Sequence, residues 1–289
     1  MTGLGGLRVG VVGGGTMGQG IAQAYVSRGA AVTVVDLDLR RAEAAVERVL
    51  DRLARGAAVA GEAAPAAALT AAADVDALRD AAAVVEAVVE DAATKVAVLT
   101  AVDAVVSAGA LLATVTSALP VGELAVALRH PERLCGMHFF NPVPASLVVE
   151  VVPHAGTSPA TLDRAAAHVS QLGKEPVLVR DSPGFASTRL GVALGLEAMR
   201  TVEDGVASAE DVDRLMTLGY RHATGPLRTS DLVGLDVRLA IAEHLAASLG
   251  PRFAPPRILR EKVAAGDLGR KTGRGFFAWA SPSVSAGPT

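Results

Sequence analysis

Apolar residues collect in short runs through the first 180 positions: 8–12, 31–35, 83–88, 111–114, 134–137, 147–152 and 176–179. Each is four to six residues long and bounded by Gly, Pro, Asp or Ser, which predicts buried strands. Between them the apolar period changes to that of a helix. Val46, Val49, Leu50 and Leu53 recur among Arg and Glu over 39–53, and a second periodic stretch covers 94–106. Pro120 opens another helix, and Ser158-Pro159 starts one that Gly173 stops. A further helix is expected somewhere in 54–73, where alanine-rich sequence with Gly56, Gly61 and Pro65 hides its boundaries. Strands alternating with helices predict an α/β unit with a mostly parallel sheet.

The pattern changes at Asp181-Ser182-Pro183-Gly184-Phe185. Beyond it only helical periodicity is visible. Leu190, Leu194, Met199 and Val202 share a face, Ser208 to Asp211 opens a helix ended by Gly219, and Leu232, Leu235, Leu239, Ile241 and Leu245 mark another. A basic, glycine-rich turn follows at 269–277, and 281–289 reads as a disordered tail. Two domains are therefore expected: a dinucleotide-binding α/β domain at 1–181, with a helical excursion at about 39–73, and an all-helical domain at 182–289.

Candidate chemistry lies where the strands end. The run 8–12 enters Gly13-Gly14-Gly15-Thr16-Met17-Gly18, a G-x-G-x-x-G turn leading into a helix. Gly13, Gly15 and Gly18 allow a tight turn and a close backbone approach to a pyrophosphate, and the helix beginning near Thr16 and Met17 turns its positive end toward it. The next strand ends in Asp36, where a carboxylate accepts protons from both ribose hydroxyls and disfavours a 2′-phosphate, although Arg40 and Arg41 stand nearby. Glu90, Ser117 and His138 each follow a later strand. His138 and Glu150 sit on two runs joined by Asn141-Pro142-Val143-Pro144. A stiff turn there brings imidazole and carboxylate together as a proton-transfer dyad; a core histidine and a surface glutamate are the plain alternative.

Composition narrows the field. A net charge of -3 without a basic run leaves no footing for nucleic acid. The uncharged stretch between Asp103 and Glu123 approaches the ~20 residues of a membrane span, but Gly109, Ser117 and Pro120 interrupt it. Cys135 is the only cysteine, which excludes an intrachain disulfide, and no signal peptide is visible. A cytoplasmic setting is expected, and no metal site.

Taken together, these residues resemble the L-3-hydroxyacyl-CoA dehydrogenase family, including its 3-hydroxybutyryl-CoA members. The matching segments are 12–20, Val88-Val89-Glu90, Thr116-Ser117, His138 to Pro144, Asp181 to Phe185, Gly225-Pro226-Leu227, Gly234-Leu235-Asp236 and Lys271 to Phe276. The resemblance implies a Rossmann-type NAD domain, an all-helical domain that forms a homodimer, and a place in fatty acid metabolism. It further implies His138 as general base, Glu150 as its orienting carboxylate and Ser117 as a donor to the substrate oxygen. Glu90, Lys95, Ser117 and Asn141 would line the nicotinamide end of the cofactor.

Three departures stand out. Where the family has Pro-Gly-Phe-x-x-Asn-Arg, this chain has Thr188 in place of the asparagine, a shorter donor. The family's Asn-Thr-Ser-Ser becomes Val115-Thr116-Ser117-Ala118. The excursion has Arg55 but no lysine between Ala54 and Ala73, where CoA-using members carry lysines for CoA phosphates. The last departure makes a hydroxyacyl unit on an acyl carrier protein an alternative to acyl-CoA. A catalytically silent, crystallin-like NAD-binding protein and a dehydrogenase of free hydroxy acids, with Arg189 or Arg221 as the carboxylate clamp, are the other rivals.

Overall fold

The computed structural model describes residues 4–60 and 69–279. The chain divides into two compact units, Met1–Ser182 and Pro183–Thr289. The first is built on an eight-stranded sheet in the order β3-β2-β1-β4-β5-β6-β7-β8. Its strands are β1 (Arg8–Val12), β2 (Ala31–Val35), β3 (Leu69–Ala72), β4 (Ala83–Glu86), β5 (Leu111–Thr114), β6 (Leu134–Phe139), β7 (Val148–Val152) and β8 (Glu175–Leu178). Strands β1 to β6 are parallel, β7 runs antiparallel to β6, and β8 is parallel to β7. Helices α1 (Thr16–Val26), α2 (Leu39–Ala60), α3 (Ala92–Val105), α4 (Val121–Ala125) and α5 (Pro159–Gln171) connect them.

Sheets covered on both faces need strands that are apolar throughout, and β4, β5 and β6 are buried at every residue. Val11, Ile21, Tyr25, Val34, Val85, Ala113, Met137 and Val151 belong to one continuous core. The Cys135 thiol lies in it with its pKa pushed up to about 12 by burial, so it is inert at neutral pH. Glu86 is the anomaly: a carboxylate with no exposed surface at the end of a central strand. Among the described residues, no helix is long and apolar enough to cross a membrane.

Two expectations need correction here. Helix α2 is a single helix that runs to Ala60, because arginine and alanine sustain it past Leu53. Leu69–Ala72 forms β3, in register with β2 through Val32↔Leu69 and Val34↔Ala71; the second helix expected within 54–73 falls on residues 61–68, outside the described residues. The segment 83–88 is thus the fourth strand rather than the third. Leu-Thr-Ala-Ala has little strand propensity of its own, and pairing with β2 decides its state.

The second unit is helical: α6 (Ser187–Glu203), α7 (Ala209–Arg214), a π-helical turn at Leu215–Gly219, α8 (Pro226–Val233), α9 (Leu235–Leu249) and α10 (Arg257–Ala264). The periodic run expected through Leu232 and Leu245 is two helices, not one. Gly234 adopts φ 105, a conformation that ends α8 and redirects the chain into α9. Val192, Leu196, Met199, Leu227, Leu245 and Phe277 form the core. Asp231 ties down the glycine-rich turn by accepting from the Phe276 and Phe277 amides and from Trp279 Nε1. The tail at 281–289 is outside the described residues.

Candidate active site

Register aligns one end of the sheet. Val35, Val12, Glu86, Thr114 and Gly136 are successive partners across β2, β1, β4, β5 and β6. Just past this row come Asp36, the glycine turn, Glu90, Ser117 and His138. The strand order reverses between β1 and β4, so the row borders the crevice in which doubly wound sheets bind ligands.

The glycine turn has the shape a dinucleotide needs. Gly13 adopts φ 106, and a Cβ there would stand 2.6 Å from the Ala87 carbonyl oxygen. A Cβ on Gly18 would lie 1.8 Å from the Gly13 oxygen, so α1 packs against the turn only because position 18 is glycine. Gly15 is the opposite case: its Cβ would project into open space, where a pyrophosphate can approach the backbone at the start of α1. Thr16 is exposed and Met17 half-buried in the first turn of that helix. Asp36 accepts from the Gly14 amide through Oδ2 and from the Leu37 amide through Oδ1, both at 2.7 Å. These residues fit NAD.

Beyond β4 a charged network anchors the next loop. Glu86 accepts from Thr114 Oγ1 at 2.6 Å, the Val88 amide at 2.8 Å and Lys95 Nζ at 2.9 Å. Lys95 has no exposed surface and also stands 3.4 Å from Glu90. Glu90 accepts from Thr116 Oγ1 (2.7 Å) and from the amides of Ser117 (2.9 Å) and Ala118 (3.1 Å), with the Ser117 hydroxyl at 3.5 Å. Burial alone would raise the pKa of Glu90, but Lys95 and these hydrogen bonds outweigh it and hold the carboxyl below its ordinary range. Its grip on the Ser117 loop therefore persists through neutral pH and is lost only as pH falls through that lowered pKa.

His138 and Glu150 are directly opposed on β6 and β7. His138 Nδ1 lies 2.7 Å from Glu150 Oε2, with both side chains buried. The imidazole also packs on Phe140, with ring centroids 5.1 Å apart. An ionised carboxylate only accepts, so Nδ1 carries the proton and Nε2 is the basic nitrogen of the neutral ring. Asn141 is exposed on the following turn, next to a cis bond to Pro142. In the helical unit, Thr188 is half-buried in the first turn of α6.

Sequence reasoning missed the supports of this arrangement. Lys174 donates from Nζ to the carbonyls of Val143 (2.6 Å) and Ser146, fastening the turn that joins His138 to Glu150. Asp181 accepts from the Val121 and Gly122 amides and so caps α4 behind the Ser117 loop. No local motif marks either residue; a charge inside the apolar run 83–88 was the one visible signal for Glu86.

Comparison with known proteins decides the family. Residues 8–182 match the family described as 3-hydroxyacyl-CoA dehydrogenase, NAD binding domain, and residues 184–279 match 3-hydroxyacyl-CoA dehydrogenase, C-terminal domain. The chain belongs to the 3-hydroxyacyl-CoA dehydrogenase family. It is 41% identical over 281 residues to the 3-hydroxybutyryl-CoA dehydrogenase of Mycobacterium tuberculosis, covering 94% of this chain and 98% of that one. Among solved structures it is similar to M. tuberculosis FadB2, with a TM-score of 0.90 at 40% identity over 96% of this chain and 100% of that chain. It is also similar to the (S)-3-hydroxybutyryl-CoA dehydrogenase PaaH1 of Ralstonia eutropha, at 0.88 and 38% over 94% and 99%. This chain is an NAD-dependent oxidoreductase.

Proposed function

We propose that this dehydrogenase interconverts an L-3-hydroxyacyl-CoA and the 3-oxoacyl thioester, with His138 as general base in oxidation and general acid in reduction. The observation that carries the reading is the buried cross-strand contact of 2.7 Å between His138 Nδ1 and Glu150 Oε2. Glu150 orients the ring and offsets the charge of the imidazolium that forms when Nε2 takes the hydroxyl proton. A silent NAD-binding protein has no use for such a pair. Bound NAD supplies the hydride acceptor. Ser117, on the loop gripped by Glu90, donates to the substrate oxygen. Glu90 and Asn141 face the nicotinamide end, with Lys95 acting through Glu90.

Asp36 holds the adenosine ribose. Charge-assisted hydrogen bonds contribute about 1.5–3 kcal/mol each, so NAD is expected to bind more tightly than NADP; equal or tighter binding of NADP in a titration would contradict this role. Thr188→Asn restores a longer donor and is expected to raise kcat/KM on acetoacetyl-CoA by about 2–10-fold, the value of one hydrogen bond. A loss of activity would indicate a pocket shaped around threonine for another acyl group. The exposed Leu190, Val206, Leu215, Leu218 and Tyr220 of the helical unit support assembly as a homodimer.

The names of the relatives support CoA as the carrier. The missing lysines that raised an acyl carrier protein as the alternative are answered by arginines able to meet CoA phosphates. Arg48, Arg52 and Arg55 share a face of α2 by their spacing, and Arg52 is held by the amide oxygens of Gln19 and Gln23 rather than by a carboxylate. Burial, followed by the charges of Arg55 and Arg48, lowers the pKa of Arg52, a sign of concentrated positive charge. The test presents one hydroxyacyl group on CoA, on 3′-dephospho-CoA and on a carrier protein. Preference for CoA that is lost without the 3′-phosphate supports the first reading and ends the second.

A further inference from the structure

Glu86 is a buried carboxylate that no step of the proposed reaction uses. It lies 2.9 Å from the Lys95 ammonium, and Glu90 Oε2 lies 3.4 Å from the same ammonium. Among the described residues, no other cation pairs with either carboxylate. One positive charge is thus shared by two negative ones, and the cluster keeps one negative charge in excess.

That excess is unevenly placed. Glu86 accepts on both oxygens, from the Val88 amide and Lys95 at Oε1 and from Thr114 Oγ1 at Oε2. Glu90 receives its hydrogen bonds from Thr116, Ser117 and Ala118 on Oε1 alone, and among the described residues Oε2 accepts none. The side chains of Glu86 and Lys95 are 0% and 1% exposed, that of Glu90 37%. Glu86 therefore takes the nearer share of Lys95 in the interior, and the uncompensated charge stands at Glu90, past the end of β4 where the crevice lies. Between strands buried at every residue such a charge is weakly screened.

We propose that Glu86, by engaging Lys95, leaves Glu90 with a net negative charge that favours the oxidised nicotinamide over the reduced one, so that the cluster tunes the redox preference of the bound cofactor. The proposal rests on the placement of Glu90 at the nicotinamide end. The nicotinamide ring of NAD is cationic. Hydride from the carbinol carbon cancels that charge, while the hydroxyl proton goes to His138. A carboxylate near the ring therefore adds affinity for NAD that NADH does not share. The equilibrium on the protein moves toward NAD and the hydroxyacyl thioester, which makes bound NADH a stronger hydride donor to the 3-oxo group. With no exposed surface, Glu86 is a positioning residue that acts through Lys95.

The test is equilibrium titration of the full chain, with NADH followed by its fluorescence and NAD by displacement of NADH. Wild type is compared with Glu86→Gln, Glu90→Gln and Glu86→Gln/Lys95→Met. Glutamine keeps the size of each side chain and removes one charge; at position 86 its oxygen still accepts from Lys95 and its amide group can donate to Thr114 Oγ1. Each single variant is expected to weaken NAD at least about threefold more than NADH, a modest share of what one unit charge exerts across a protein interior. A merely structural role for Glu86 would weaken both cofactors alike. The double variant removes the buried pair together, restores the excess charge and should return the ratio of the two affinities to that of wild type, so it decides the role of Glu86 even where Glu86→Gln alone does not fold. Equal losses for NAD and NADH in both single variants, a Glu86→Gln protein with the wild-type ratio, or a double variant with the ratio of Glu90→Gln would overturn the proposal. A Glu90→Gln protein with both affinities unchanged would instead overturn the placement of Glu90, and the proposal with it.

Discussion

His138→Ala is expected to lower kcat on a 3-hydroxyacyl thioester by about 10²–10⁴-fold, the range of a positioned acid–base group, while NAD affinity is retained. The two effects separate because His138 lies on β6, whereas the glycine turn and Asp36 belong to β1 and β2. Glu150→Gln should cost less. A carboxamide still accepts from Nδ1 and keeps the ring in place, but it no longer balances the imidazolium charge. Stopped-flow kinetics with a cofactor titration on each variant measures both effects. Unchanged turnover in His138→Ala would remove the base from the mechanism.

Arg133→Met is expected to destabilise the sheet unit by about 3–5 kcal/mol, the cost of leaving one partner of a buried ion pair alone. Arg133 is 2% exposed and sits at the entry to β6. It donates to Asp103 Oδ1 from Nε at 3.0 Å and from Nη2 at 2.7 Å, and also to the carbonyls of Asp103, Val106 and Ser107. Among the described residues, the Asp103 carboxylate otherwise keeps only the Arg129 amide, at 2.7 Å. Arg133→Met would therefore strand a carboxylate in the interior. Adding Asp103→Leu should recover part of the loss, because a buried pair contributes less than its broken half costs. Urea unfolding followed through hydrogen exchange of the β5 and β6 amides measures this. A change below about 1 kcal/mol would contradict the geometry.

The parts of the site that depend on local pattern were legible in the sequence. A glycine turn between strand and helix, an acid closing the next strand, and a histidine and a glutamate flanking a proline turn are all encoded within a few residues of one another. Their contact follows because two strands joined by a short turn must run antiparallel. What was hidden depends on partners far along the chain. Strand β3 exists because β2 offers it an edge. Lys95, which the resemblance puts at the cofactor, donates to Glu86, nine residues earlier in the chain, a partner that no local motif marked. Lys174 and Asp103–Arg133 are charges whose partners lie about thirty residues away, where periodicity carries no information. In the helical unit, Gly234 could not be told from a tolerated helix glycine until its φ of 105 was seen.

The proposed reaction is that of an L-3-hydroxyacyl thioester at His138. The most direct measurement is NADH formation by the purified chain with the two enantiomers of 3-hydroxybutyryl-CoA, in parallel with the His138→Ala variant. Turnover of the L enantiomer by the wild type alone, with the D enantiomer inert, is the predicted result. Wild-type protein that binds NAD but turns over neither enantiomer, or a variant as active as the wild type, would contradict it.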